Sequence, residues 1–235
     1  MSIDTLPFAW HSNGMATPGQ LVRTVAEVLG IPVATVSQFD RQLAEAGLRT
    51  VGGRGPSAAK VTPLDAANLL IALLGPPLYG PAIKAAQSSC NLFGSLPITS
   101  TWRDTRSFKK VGLPSLAKLP DEHTFREALA ALIDGASKGE LYFLTGSERT
   151  NSDESFYVTV QYLHPRARVT HPSAEISCVS PRISASEPRD RTRLVYHHEK
   201  VVKSGDPSKR DLGQSRVVSF RTVRALGNLI ADKES

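Results

Sequence analysis

The run VAEVLGIPVATVSQFDRQLAEAGL, residues 25–48, decides how the N-terminal region folds. Ahead of it, Thr17-Pro18 is a helix start: the hydroxyl caps free N–H groups, and the proline stands at the first helical position, where no donor is missed. Leu21, Val22, Val25, Val28 and Leu29 then form one apolar stripe, which Gly30 stops. A short turn, Gly30-Ile31-Pro32, leads into a second helix with Val36, Phe39, Leu43 and Ala46 on one side, closed by Gly47. Two helices joined this tightly must cross at a steep angle.

After Gly47 come Leu48-Arg49-Thr50-Val51, then Gly52-Gly53-Arg54-Gly55-Pro56, then Ala59-Lys60-Val61, which read as a hairpin with a glycine-rich tip. Thr62-Pro63-Leu64-Asp65 repeats the helix-start chemistry. Residues 66–74 are apolar nearly all round, so this third helix is expected to be buried behind the other two. Gly75-Pro76-Pro77 ends the module.

The run resembles the helix-turn-helix of winged-helix regulators of the IclR and MarR type. Ala26 is small enough for close helix approach, Gly30 makes the turn, Pro32 opens the second helix, Val36 lies between Thr35 and Ser37, and Glu45-Ala46-Gly47-Leu48 is similar to the family's exit into the wing. The family usually has a complete helix ahead of the first one here, where this chain has only an arm, and often an aliphatic residue where this chain has Asp40. The resemblance covers residues 17–75 and implies a DNA-binding domain, with no effector or regulatory role carried over.

The residues make the same case physically. A helix fits the major groove, and its outward side chains reach base edges and phosphates. Opposite Val36, Phe39 and Leu43 the second helix offers Ala34, Thr35, Ser37, Gln38, Arg41 and Gln42. Gln pairs bidentately with adenine, Ser and Thr donate to phosphate or base, Arg serves either purpose, and Ala34 or Thr35 suits a thymine methyl. Arg54, set between glycines, can lie close to a sugar–phosphate wall or enter a minor groove, flanked by Arg49 and Lys60.

Charge complicates this picture. The chain is basic, at +6, which fits a polyanionic partner. Yet residues 1–75 carry five Lys or Arg against five Asp or Glu, whereas 160–224 carry thirteen against six. Phosphate neutralisation supplies much of the affinity of DNA-binding proteins, so a dimer or the C-terminal region has to provide it. The candidates are Arg189, Arg191, Arg193, Lys209 and Arg210, as phosphate contacts or simply as solvated loop residues.

Composition sets the outer bounds. An apolar fraction of 40% is enough for a core. The longest apolar stretch, 66–74, is interrupted by Asn68 and falls short of the roughly 20 residues that span a bilayer. Residues 1–10 lack the features of a secretory signal, so a cytoplasmic protein is expected. Cys90 and Cys178 form no Cys-x-x-Cys pair, and neither a disulfide framework nor a thiolate zinc site is suggested.

Residues 1–16 read as an arm, 17–75 as the winged helix-turn-helix domain, and 76–120 as a linking segment of short helices and loops. Residues 121–136 form a helix by cap and pattern, with Phe125, Leu129, Leu132 and Ile133 as its apolar face. The period then switches to two, giving strands at 156–163, 174–179 and 194–202, and 217–231 closes with an amphipathic helix. The expected fold is α+β: an N-terminal winged helix-turn-helix and, over 121–235, a domain of antiparallel strands with one or two helices.

Other motifs carry less. Residues 52–60 lack the Gly-Lys-Ser/Thr ending of a phosphate-binding loop. His197-His198-Glu199, even with His164 and His171, is a poor metal site, because adjacent strand residues point to opposite faces. No nucleophile elbow and no carboxylate pair emerges, and the two cysteines read as small hydrophobes. No catalytic residue, metal or cofactor is expected. The sequence therefore points to a sequence-specific transcriptional regulator of bacterial or phage-like origin. It is expected to bind double-stranded DNA as a homodimer, with the C-terminal domain for dimerisation or for partner or ligand binding. The alternatives are a phage DNA-packaging recognition subunit of the small-terminase kind, and an interaction protein that blocks a nucleic-acid machine and represses its own promoter.

Overall fold

The computed structural model describes residues 16–53, 59–75, 86–102, 113–141, 156–161, 173–179, 191–197 and 215–232. The helix starts are built as their sequences dictate. Thr17 caps α1 (Pro18–Leu29) in a reciprocal box with Gln20, and Gly30 ends it in the left-handed region at φ 64°. Pro32 precedes α2 (Val33–Glu45), and Gly47 at φ 71° turns the chain out of it. Thr62 and Asp65 form a second capping box on α3 (Pro63–Leu74). Every residue of α3 from Asp65 to Leu74 is buried.

Next come α4 (Ala86–Gly94) and β1 (Ile98–Trp102), then α5 (Pro114–Ala117) and α6 (Phe125–Ser137), the last capped by Thr124 with Glu127. The strands β2 (Phe156–Gln161), β3 (Ser173–Val179), β4 (Arg191–His197) and β5 (Ser215–Ser219) follow, and β5 runs straight into α7 (Phe220–Ile230) with Ser219 as its cap. The sheet has the order β1-β4-β3-β2-β5 and is antiparallel throughout. Ile176 in its centre sits opposite Val158 on one side and Leu194 on the other. Ala174, Ile176, Leu194, Tyr196 and Val218 are buried, and the Tyr196 ring meets that of Phe125 at the start of α6, centroids 5.4 Å apart.

The α+β expectation is met, with differences. The helix expected from residue 121 begins at 125, because Thr124 takes the cap position. The segment 217–231 is not helical throughout: 215–219 is an edge strand, and its alternation shows in Val217, which is exposed, beside Val218, which is buried. In the linking segment, β1 joins the sheet by pairing with β4. The third strand begins earlier than expected, at 191, and its continuation past 197, like that of β2 past 161, lies outside the described residues.

α3 lies at the centre, packing against α2, α4, α6 and α7, while α7 also packs along α1 and α6. One apolar cluster extends from Ala16 through α3 to Leu226. Polar anchors cross it. Arg216 of β5 donates to the Leu73 carbonyl at 2.7 Å. Buried His123 donates from Nδ1–H to Pro120 O at 2.6 Å, and its Nε2 lies 3.0 Å from the Tyr196 hydroxyl.

Helices α6 and α7 meet backbone to backbone at Gly227, where an added Cβ would lie 2.7 Å from the Ala136 carbonyl carbon. Gly227→Ala is therefore expected to cost about 1–3 kcal/mol through overpacking. Gly19→Ala, where the new Cβ meets nothing within 4 Å, should be neutral or gain up to about 1 kcal/mol. Urea unfolding of the two variants checks this, and a Gly227→Ala protein as stable as the parent would refute the close crossing.

Candidate nucleic-acid interface

On α2 the division between faces is sharp. Val36, Phe39 and Leu43 are fully buried, locking the helix against α1 and α3. Ala34, Ser37, Gln38 and Arg41 are exposed, and Thr35 and Gln42 are half-buried at the margins. Every residue expected on the outward flank of α2 thus has access to solvent. Arg41 approaches Glu45 at 3.7 Å, both side chains about 70% exposed (72% and 68%); a pair of this kind contributes little and leaves the arginine available.

A shallow open cleft runs beside this flank between the start of α1 and α2, lined by Pro18, Gly19, Val22, Arg23, Val33, Ser37 and Asp40. Arg23 is exposed and escaped the sequence reading, which followed only the apolar stripe of its helix; the polar positions between Val22 and Val25 were the available signal. A second cleft, lined by Gln42, Glu45, Ala46 and Gln87, separates α2 from α4. On α1 and α2 the exposed charges are Arg23 and Arg41 against Glu27 and Glu45, so the surface of the helical pair is balanced, as the sequence count suggested.

Arg49 requires a correction. Expected to flank a DNA-facing tip, it is largely buried, with Nε 2.9 Å from Asp40 Oδ1 and the two side chains 13% and 12% exposed. The contact pairs opposite charges without the angle of a linear hydrogen bond. Its Nη1 donates to Thr50 O at 2.8 Å. Asp40 is thus the internal counter-ion of Arg49. Burial raises the Asp40 pKa, Arg49 lowers it, and neighbouring Asp65 raises it again. Protonation of Asp40 is accordingly easier in the folded chain than in the unfolded one. Its ionisation withdraws stability as pH rises from the ordinary carboxylate value of about 3.9 through the raised one.

The expected hairpin differs as well. Among the described residues, 48–53 and 59–62 form no strand, and only Gly53 makes an isolated bridge. Lys60 is exposed on the returning leg. Arg54 and the rest of the tip, 54–58, lie outside the described residues, as do Arg189, Lys209 and Arg210. Arg191 and Arg193 belong to β4, their backbones opposite Val179 and Ser177 of β3. Of the histidines weighed as metal ligands, His164, His171 and His198 lie outside the described residues, and His197 ends β4. Burial raises the Cys90 thiol pKa against the opposing pull of Arg126.

No protein family, curated protein or solved structure matches this chain.

The Asp40–Arg49 pair generates a test. Asp40→Leu alone strands a buried guanidinium, and Arg49→Met alone strands a buried carboxylate; each is expected to cost about 3 kcal/mol, whereas the double variant recovers most of the loss. Urea unfolding of the four proteins closes the cycle. Additive losses would show that the two side chains act independently.

Proposed function

We propose that the chain is a sequence-specific DNA-binding transcriptional regulator that presents α2 to the major groove. The observation that carries this reading is the exposure of Ala34, Ser37, Gln38 and Arg41 on one flank of a helix whose opposite side is fully buried. These side chains supply a bidentate amide, a hydroxyl, a guanidinium and a methyl, the groups that distinguish base pairs in the major groove. Thr35 and Gln42 stand at the edges of the contact. Arg23 and Lys60, with Arg54 at the glycine-rich tip, provide phosphate or minor-groove contacts.

Because the helical pair is electrically balanced, further cations must come from elsewhere. The basic residues of 182–216, Arg189, Arg191, Arg193, Lys209 and Arg210 among them, are our candidates. A homodimer doubles the number of bases read and the number of phosphates neutralised, and the C-terminal region serves dimerisation or partner or ligand binding. No helix among the described residues is long and apolar enough to cross a membrane.

Gel shifts with genomic fragments at several salt concentrations test the proposal. Binding should weaken as salt rises. Gln38→Ala should alter preference at one or two base pairs, and Arg54→Ala should weaken binding to all sequences, each by about 1–3 kcal/mol. Binding that is absent at low salt, or indifferent to salt where present, would refute it.

A further inference from the structure

Among the described residues, the chain leaving α2 forms no strand, and side chains hold it. Gly47 turns it, and the Leu48 amide donates back to Leu43 O at 2.8 Å. From there, three successive residues are each tied to a buried polar group. The Leu48 carbonyl accepts from Asn68 Nδ2 of α3 at 2.7 Å, Arg49 pairs with Asp40 of α2, and the Thr50 amide donates to Asp65 Oδ1 at 2.7 Å. The other oxygen of the same carboxylate, Asp65 Oδ2, accepts from both the amide and the hydroxyl of Thr62 at 2.8 Å.

Asp65 is only 3% exposed and accepts from both legs of the intervening segment, 51–61. Capping α3 requires only the Thr62 half of this arrangement. The bond to Thr50 does nothing for the helix start; its effect is to fix the outgoing leg beside the returning one. Beyond Lys60, the Val61 amide donates to Ala16 O at 2.8 Å, just ahead of α1. The base of the segment is thereby joined to all three helices around it.

We infer that Asp65 and the Asp40–Arg49 pair are positioning residues for DNA binding: they clamp both legs of segment 51–61 at a fixed base against α2 and α3, without touching DNA themselves. This rests on the DNA-binding reading. Exposed Lys60 is the described cation whose placement the clamp sets.

Asp65→Asn keeps the size of the side chain but leaves one oxygen where there were two, so both legs can no longer be accepted. The full-length chain carrying Asp65→Asn, and separately the double variant Asp40→Leu with Arg49→Met, should be compared with the parent by amide hydrogen exchange and by anisotropy with random-sequence duplex DNA. Exchange of the Thr50 or the Thr62 amide should accelerate about tenfold or more, while the α6 and α7 amides stay protected. Duplex affinity should fall several-fold, and Lys60→Ala should cost less affinity in the variants than in the parent.

Unchanged exchange of both the Thr50 and the Thr62 amides in a folded Asp65→Asn protein would overturn the clamp. Faster exchange with unchanged affinity and an undiminished Lys60→Ala effect would overturn its positioning role. If Asp65→Asn does not fold, the double variant yields the same two readings. A parent chain that binds no duplex at low salt refutes the DNA reading and the positioning role together, while exchange still decides whether the base is clamped.

Discussion

A helix that is apolar nearly all round has to be enclosed, and α3 imposes that requirement on the rest of the molecule. Ten consecutive residues, Asp65 to Leu74, are buried, and no single neighbour can cover a cylinder of that kind. The covering is divided among α2, α4, α6 and α7. The hydrophobic free energy of α3 is thus realised only when elements from both halves of the sequence are in place. The polar groups carried into this interior are satisfied locally: Asp65 by the Thr50 and Thr62 amides, and Asn68 by the Leu48 carbonyl and the Cys90 thiol.

The same requirement holds α2 in place from beneath. Its outward flank is simple, an alanine, hydroxyls, amides and one arginine, and depends on the rigidity of what lies beneath. Phe39 and Leu43 supply that rigidity from the buried side. Asp40 supplies it differently: a charge at an interior position of a small helix is costly unless paired, and Arg49 is its partner. The pair joins the end of α2 to the segment that follows.

Legibility in the sequence followed the range of the forces involved. The starts and stops of α1 and α3, and the cap of α6, rest on Thr17, Gly30, Thr62 and Thr124 acting within one turn, and they could be read from neighbouring residues. The buried face of α2 was equally plain in the spacing of Val36, Phe39 and Leu43. Long-range pairing was not. β1 is a short edge strand whose partner β4 comes more than ninety residues later, as in Ile98 opposite Tyr196, and nothing local to 98–102 announces it. β5 was absorbed into the following helix because Val217 and Val218 also fit a helical stripe; pairing with β2 decides between the two periods. At the candidate site, the outward residues of α2 were legible. The withdrawal of Arg49 was not, because its counter-ion lies on a different element: Asp40 stood out in the sequence as an unusual residue for its position, but nothing local to it named Arg49 as its partner.

The packing of α7 along α1 bears on how the protein is made. The side of α1 that packs on α7 stays uncovered until residues 220–230 have been synthesised and folded back. Until then a ribosome-bound chain carries an open apolar seam on α1. Chains halted before that stretch should be caught by chaperones or proteases instead of accumulating as fragments, so synthesis through residue 230 acts as a check on which molecules reach the cell's working pool.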